Sequence, residues 1–536
     1  MSEHKLSLAA EICNLTLKFP GEQSLIFKDL SFVVPKGQKV LLLGPSGCGK
    51  STLLQVLSGI IPNSIELPLK YDRFTPPASW GFVFQDPDTQ FCMPYVDEEL
   101  GFVLENLNVP RELMDQKILA ALDSVGLKLA HPHTEIQLLS QGMKQRLALA
   151  SILLLEPDTL FLDEPSALLD PEGAELIWET VKKHAEQKTV VIVEHQISYI
   201  ADWVDRIVLF DGNGAIIADD SPSVIFNNYK SQFIEHGIWY PDVWHDYMRT
   251  DNYARIVKAR SRLLVEHPAK LPNPANNDGL ELLHFSASYT KGYSGNQSND
   301  ISPSIFVEQA AALTGEWIAI CGENGAGKST LLLSLMQLIE TKGYYTIYGE
   351  LVEHRDRTNR FLRRKTPRSS LLKMLSFVFQ NPEMQFVTNR IDEEISLALK
   401  LEQLEPNNIE DRTKELLQLF QLDAQRHRHP YQLSIGQKRR LSVAAALSHK
   451  PSILLLDEPT FGQDARSTFA ILELLEQLRT DGTIIIMITH DLYIMNHFAT
   501  EIWQIAQGKL TVKKPPTDEI SGKKGELALD EAIPTS

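Results

Sequence analysis

What the chain lacks narrows its class before any motif is read. Across 536 residues no apolar run approaches the roughly 18–20 residues needed to span a bilayer, so no transmembrane helix is expected. The opening Met1-Ser-Glu-His-Lys5 is polar and no long apolar stretch follows it, which argues against a secretory signal. Only four cysteines are present, and Cys13, Cys48, Cys92 and Cys321 have neither CxxC nor finger spacing; they read as reduced thiols of a cytosolic protein, not as a disulfide framework or a metal site. Positive charge is in deficit, with 52 Lys and Arg against 69 Asp and Glu. The net charge of −17 speaks against nucleic acid as the main partner, since binding a phosphate backbone needs a basic surface. What remains is an ordinary globular composition, 43% hydrophobic and 23% charged, long enough for two domains of roughly 200–250 residues.

What the chain does have, it has twice. Gly44-Pro45-Ser46-Gly47-Cys48-Gly49-Lys50-Ser51-Thr52 in the first half is answered by Gly322-Glu323-Asn324-Gly325-Ala326-Gly327-Lys328-Ser329-Thr330 in the second. Each is followed in the same order by Phe-Val-Phe-Gln (Gln85, Gln380), by a Leu-Ser-x-Gly turn, by an apolar run ending Leu-Asp-Glu-Pro, and by a His after another apolar run (His195, His490). Strand-like Lys39-Val-Leu-Leu-Leu43 and Glu316-Trp-Ile-Ala-Ile-Cys321 run straight into the glycine loops, and helix-compatible sequence follows. Strand, loop, helix is the context a phosphate loop requires. Buried apolar runs alternating with helical stretches indicate a parallel sheet covered on both faces. The expected layout is a first domain at 1–225, an extension and linker at 226–279, a second domain at 280–514 and a mobile tail at 515–536. Aromatic Phe233-Ile-Glu-His-Gly-Ile-Trp-Tyr-Pro241 and the turn-rich Leu271-Pro-Asn-Pro-Ala-Asn-Asn-Asp-Gly279 mark the break between the two copies.

The chemistry follows from the residue types. Loop glycines let backbone N–H groups wrap phosphate oxygens, the following helix offers its positive N-terminus, and Lys50 or Lys328 reaches the β/γ-phosphates. Ser51 and Ser329 are expected to ligate Mg²⁺, with Thr52 and Thr330 near the α-phosphate. Asp163-Glu164 and Asp457-Glu458 end buried strands, where the Asp can orient Mg²⁺ and the Glu can act as general base toward the attacking water. Each pair stands at the same distance after its turn serine (Ser140 to Asp163, Ser434 to Asp457), which a chance strand end does not explain.

With these residues in order, the chain resembles ATP-binding-cassette (ABC) ATPases over nearly its whole length. The signatures are Leu139-Ser-Gln-Gly-Met143 and Leu433-Ser-Ile-Gly-Gln437. The resemblance implies an α/β fold of two tandem cassettes, each a phosphate-loop parallel-sheet core with an antiparallel β subdomain and a helical signature subdomain. It implies two ATP molecules held head to tail, so that Ser140 and Gly142 touch the nucleotide at Lys328, and Ser434 and Gly436 the one at Lys50. Gln85 and Gln380 would sense Mg²⁺ and the γ-phosphate, His195 and His490 would hold the γ-phosphate and water, and Asp170 and Asp464 would couple the sites. Phe19 and Tyr289 would stack on adenine or serve only as strand-end packing. The first signature departs from Leu-Ser-Gly-Gly-Gln at Gln141 and Met143, the second at Ile435. Both keep the serine and second glycine, so both sites are expected to hydrolyse ATP.

Phe82-Val-Phe-Gln-Asp-Pro-Asp-Thr-Gln-Phe91 and Phe377-Val-Phe-Gln-Asn-Pro-Glu-Met-Gln-Phe386 add Gln90 and Gln385, followed by the acidic clusters Asp97-Glu98-Glu99 and Asp392-Glu393-Glu394. This string resembles the ATPases of energy-coupling-factor (ECF) importers of vitamins and transition-metal ions. It implies a transmembrane T-component, a substrate-binding S-component and a peripheral location on the cytoplasmic face of the membrane. The carboxylates could receive arginines of the membrane subunit, or merely complement a helix N-terminus. Gly237-Ile-Trp-Tyr-Pro241 resembles a stretch after the cassette core in the same family, or is simple packing. The basic run Arg355-Asp-Arg-Thr-Asn-Arg-Phe-Leu-Arg-Arg-Lys365 reads as a solvated insertion or as a contact with anionic lipid. A fused sugar-importer ATPase and a soluble tandem cassette acting on ribosome or DNA are the competing readings. A phosphate-loop kinase or GTPase explains neither signature nor duplication.

Overall fold

The computed structural model describes residues 7–20, 24–45, 47–167, 169, 171–266, 278–288, 304–354, 371, 373–401 and 404–515. Ser46, Asp170, Tyr289, the basic run at 355–365 and nearly all of the expected tail lie outside them.

The first half carries strands β1 (Leu8–Leu17), β2 (Phe27–Pro35), β3 (Lys39–Leu43), β4 (Leu69–Lys70), β5 (Arg73–Thr75), β6 (Trp80–Val83), β7 (Thr159–Asp163), β8 (Thr189–Val193), β9 (Arg206–Phe210) and β10 (Ile216–Asp220). Its core sheet has the order β10-β9-β3-β8-β7-β6, with β3 parallel to both β8 and β9. Every residue of β7 and β8 is buried, because helices cover both faces of a parallel sheet and its strands are apolar throughout. The antiparallel β1–β2 pair alternates buried and less buried residues instead, as a one-sided sheet does.

The second half repeats the plan with β11 (Gly279–Ser288), β12 (Ile305–Leu313), β13 (Trp317–Cys321), β14 (Glu340–Ile347), β15 (Glu350–His354), β16 (Leu375–Val378), β17 (Ile453–Asp457), β18 (Ile484–Ile488), β19 (Glu501–Ala506) and β20 (Lys509–Lys513). The order β20-β19-β13-β18-β17-β16 matches the first core strand for strand. Here, however, β20 also pairs with β12 at Phe306–Lys509, so the core and the antiparallel sheet join into one ten-stranded sheet.

In each half, three helices stand between the glutamine segment and the Asp-Glu strand: Val96–Asn106, Arg111–Ser124 and Gln141–Leu154 in the first, Ile391–Leu401, Pro406–Leu419 and Ile435–Ala446 in the second. After β10 the chain forms four more helices, Pro222–Asn228, Lys230–His236, Val243–Tyr247 and Asp251–Glu266. Their aromatic residues pack on the second half: Tyr247 stacks on Phe469 at 3.9 Å and Trp244 on Tyr493 at 5.1 Å between ring centroids. Phe469 lies on the helix Ala465–Thr480, so one hydrophobic core runs from the first half through this extension into the second.

Candidate functional site

Both phosphate loops sit at the carboxyl end of the central strand, β3 or β13, where a doubly wound sheet leaves a crevice for ligand. Gly49 and Gly327 cap the following helices with φ of 100° and 109°, a left-handed conformation that side chains rarely adopt. In each loop the lysine ammonium folds onto the loop's own carbonyls. Lys50 Nζ donates to Gly44 O at 2.7 Å and Pro45 O at 2.9 Å, and Lys328 Nζ to Gly322 O at 2.6 Å and Glu323 O at 3.0 Å. Both lysines are buried, so their charge is concentrated on the loop.

The Asp-Glu pairs lie directly across. Ser51 Oγ donates to Asp163 Oδ1 at 2.7 Å, and in the second half Ser329 lies beside Asp457 and favours its ionised form. Burial and the adjacent Glu164 push the Asp163 carboxyl up to about 7, while burial, opposed by Ser329, pushes Asp457 up to about 6. A serine hydroxyl beside a crowded buried carboxylate is a donor set suited to a hard cation bound through oxygen, which fits Mg²⁺. Glu164 and Glu458 occupy the left-handed region at φ 49° and 51°. Such a conformation in a non-glycine residue persists only where its surroundings impose it. The backbone N–H of Glu164 is tied to Val193 O at 2.8 Å and that of Glu458 to Ile488 O at 3.2 Å. Each glutamate faces the predicted partners. His195 Nε2 is 3.1 Å from Glu164 Oε1 and Gln85 Nε2 donates to its Oε2 at 2.8 Å; the second-half equivalents, His490 and Gln380, stand at 3.5 Å each. Burial alone would raise both glutamates, but His195 and Lys50 at the first and His490 and Arg439 at the second outweigh it and hold them below the ordinary carboxylate range.

The first phosphate loop shares a cavity of about 230 Å³ with residues of the other half. Phe19, Lys50, Ser51, Thr52, Gln85, Glu164 and His195 line one wall, and Ser434, Gly436 and Gly462 the other. A larger cavity of about 760 Å³ is lined by Glu164 and His195, by Glu458 and His490, and by Trp239 and Trp244 of the extension. Both signature serines cap helices: Ser140 Oγ accepts from Met143 N, while Ser434 and Gln437 form a reciprocal capping box that Met143 cannot reproduce.

The coupling residues divide. Gln90 Nε2 donates to Ala148 O at 3.1 Å, and Gln385 Nε2 donates to Ser442 O at 3.0 Å, so both extra glutamines tie the post-glutamine turn to the signature helix. Lys144 to Asp88 and Lys438 to Glu383 add a second tie in each half. The three carboxylates of each acidic cluster are placed differently. Glu99 is buried and accepts from Cys92 N and Met93 N, and Glu394 is buried and accepts from Val387 N and Thr388 N. Two successive backbone N–H groups of the preceding turn share each of these acceptors, so Glu99 and Glu394 serve their own loops. Asp392 is likewise occupied by Arg390 at 2.8 Å and Arg426 at 3.3 Å; burial raises its carboxyl, but the two guanidiniums outweigh this and hold it low. Asp97, facing His133 at 3.1 Å, the exposed Glu98 and the half-buried Glu393, 3.8 Å from Arg390, remain nearer the surface.

Sequence reasoning missed two buried ionisable groups beside the glutamates. Glu194, next to His195, accepts from Ser166 Oγ, and burial with Glu164 nearby raises its carboxyl well above the ordinary range. In the second half Arg439 Nη1 donates to Glu458 O at 2.6 Å. Burial pushes its guanidinium down to about 10 against the pull of Glu458 and Asp457. The only signal in the sequence is the mismatch between the copies, Glu194 against Thr489 and Gln145 against Arg439.

Comparison with known proteins agrees with this geometry. The ABC transporter family model matches residues 27–167 and 311–461. The chain is 34% identical, over 95% of its length and 92% of the relative's, to the "Putative HMP/thiamine import ATP-binding protein YkoD" of Bacillus subtilis. It is 31% identical, over 97% of its length and 88% of the relative's, to a "Putative ABC transporter ATP-binding protein" of Methanosarcina acetivorans. Among solved structures, the complex of archaeal ribosomal stalk protein aP1 with the archaeal ribosome recycling factor aABCE1 matches at a TM-score of 0.56 and 18% identity, covering 93% of this chain and 89% of that one, a likeness of fold alone. The chain belongs to the ABC transporter family of ATP-hydrolysing proteins and carries two of its nucleotide-binding cassettes in tandem.

Proposed function

We propose that the chain is the energising ATPase of an ECF-type membrane importer, working through two ATP sites that each combine the phosphate loop of one cassette with the signature of the other. The observation that carries this reading is the cavity in which Lys50, Glu164 and His195 face Ser434 and Gly436. The loop N–H groups and Lys50 bind the phosphates, and Ser434 with Gly436 closes over them from the opposite cassette. Ser51, Asp163 and Gln85, and in the other site Ser329, Asp457 and Gln380, would hold Mg²⁺, whose charge when bound offsets that developing on the phosphoryl group. Glu164 and Glu458 accept the proton of the attacking water, kept ionised by their histidines. Phe19 packs beside adenine. Binding closes the two halves and hydrolysis reopens them, with the γ-phosphate as the switch.

The import direction and the membrane partners are supported by the relative named as an import ATP-binding protein and by the paired Gln90 and Gln385 strings. Among the described residues no helix is long and apolar enough to cross a membrane, so transport calls for integral partners, a T-component and an S-component. The exposed Glu98 and the half-buried Glu393, with Asp97, form the surface offered to arginines of the T-component at the cytoplasmic face of the membrane.

Expression with the neighbouring membrane genes tests this. The chain should co-purify with an integral membrane protein, and charge reversal at Glu98 and Glu393 should abolish uptake while ATP binding persists. Uptake intact in that double variant would sink the coupling surface. Co-sedimentation with ribosomes, with no membrane partner recovered, would replace the importer reading altogether.

A further inference from the structure

The extension touches the second cassette at a point that bears on one ATP site. Trp239 Nε1 donates to Gln463 O at 2.7 Å, and Ala465 N donates to Gly237 O at 2.9 Å. These two bonds bracket Asp464, which caps the helix Ala465–Thr480 by accepting from Ser467 N at 2.7 Å. The approach is close: Gly237 has φ 69°, and a Cβ there would stand 2.6 Å from Arg466 Cβ, so no larger residue fits. The Trp239 ring is held by Trp244 and Phe469, with centroids 6.5 and 6.1 Å away. From the same turn, Gln463, which is 3% exposed, extends Nε2 to Gly436 O at 3.4 Å. Gly436 and Gly462 both line the cavity of Lys50. An unbroken set of contacts therefore runs from Trp239 through Gln463 to the signature that faces the first phosphate loop.

Among the described residues the other site has no such support. In the first cassette the residue equivalent to Gln463 is Leu169, whose Cδ2 lies 3.0 Å from where a Cβ on Gly142 would be, an apolar contact without a hydrogen bond. Among the described residues no helix follows β20, and none of them repeats the extension's contacts for the second cassette.

We infer that Trp239 is a positioning residue for the ATP site at Lys50 and not for the site at Lys328, acting through Gln463 to set Gly436 against the bound nucleotide. This rests on the composite-site reading above. The extension holds one signature in its working position before nucleotide arrives, so the two sites differ in affinity although both keep their catalytic residues.

The test uses the full chain with one site disabled at a time. The Lys328→Ala protein retains the site at Lys50, and the Lys50→Ala protein retains the other. Trp239→Phe, which keeps an aromatic ring but removes the N–H, is added to each, and equilibrium binding of ATPγS with Mg²⁺ is measured. The expected result is binding weakened by about 3- to 10-fold in the Lys328→Ala protein and unchanged within about twofold in the Lys50→Ala protein, in line with one lost hydrogen bond. Gln463→Ala, which leaves the carbonyl for Trp239 but removes the link to Gly436, should show the same selectivity. Equal losses at both sites, or no loss at either, would overturn the inference. Ser434→Arg in the Lys328→Ala protein checks the underlying reading separately. If binding survives it, the composite site falls and the role of Trp239 with it.

Discussion

The two cassettes hold the same glutamate in the same left-handed backbone and give it different buried neighbours. Glu164 has a buried carboxyl beside it, Glu194, whereas Glu458 has a buried guanidinium, Arg439. His195 lies 3.1 Å from its glutamate and His490 lies 3.5 Å from its own, so the first cluster is also the tighter. Arg439 helps hold the Glu458 carboxyl low, whereas in the first cassette Glu164 raises the carboxyl of Glu194. Identical motifs can therefore carry unequal chemistry, because the difference lies one residue beyond the motif.

The largest test of this comparison is removal of each base in turn. Glu164→Gln and Glu458→Gln should each lower steady-state phosphate release by half or more, and the double variant by about 100-fold or more, the usual weight of a general base. Full turnover in either single variant would mean that its site is not productive. Next comes Arg439→Gln, which gives the second cassette the residue the first has at Gln145. Quenched-flow measurement should find the first-turnover burst of phosphate cut to that of one site. An unchanged burst would remove Arg439 from the reaction.

Smaller effects separate the helical regions. Asp392→Asn breaks the ion pairs to Arg390 and Arg426 and should cost about 2 kcal/mol of stability, as for a charged hydrogen bond lost from a largely buried site. The equivalent Asp97→Asn, at a pair whose side chains are 32% and 47% exposed, should cost less than about 0.5 kcal/mol. Denaturant midpoints with unchanged slopes would measure both, and equal costs would break the contrast.

The smallest effect is one of pH. Glu316 precedes β13 where Gln38 precedes β3, and burial pushes its carboxyl up to about 7. A carboxyl raised in the folded state gives stability that is complete below its unfolded value near 4.5 and is lost as pH rises through about 7. Glu316→Gln should therefore raise the unfolding free energy at pH 8 by on the order of 1–2 kcal/mol, read from denaturant midpoints, and change it little at pH 5. A gain of the same size at both pH values would show that ionisation is not the cause.

Much of this molecule is legible in its sequence because phosphate chemistry tolerates few substitutes. The loops, Gln85 and Gln380, the Asp-Glu pairs and the histidines were identifiable from type and order, and the alternation of apolar runs with helical stretches gave the parallel sheets. The acidic clusters were less legible. Three adjacent carboxylates look alike on paper, yet Glu99 falls on the Val96, Leu100 and Leu104 face of its helix and turns inward. That helical spacing was available as a signal. The dock between Trp239 and Gln463 was not, because it joins residues more than two hundred positions apart through a backbone carbonyl, which leaves no mark on residue choice. The joining of the second half into one sheet through β12 and β20 likewise rests on backbone pairing at Phe306 and Lys509.

The left-handed backbone of Glu164 and Glu458 has a consequence for how this protein can change over generations. A non-glycine residue held there carries strain of about 1–3 kcal/mol, and glycine at the same position would be relieved of it. On the role proposed for these two glutamates, mutational drift toward a more robust fold leads straight through loss of activity. A copy released from selection for turnover should lose its glutamate early and keep its architecture, leaving a cassette that still binds nucleotide and no longer consumes it.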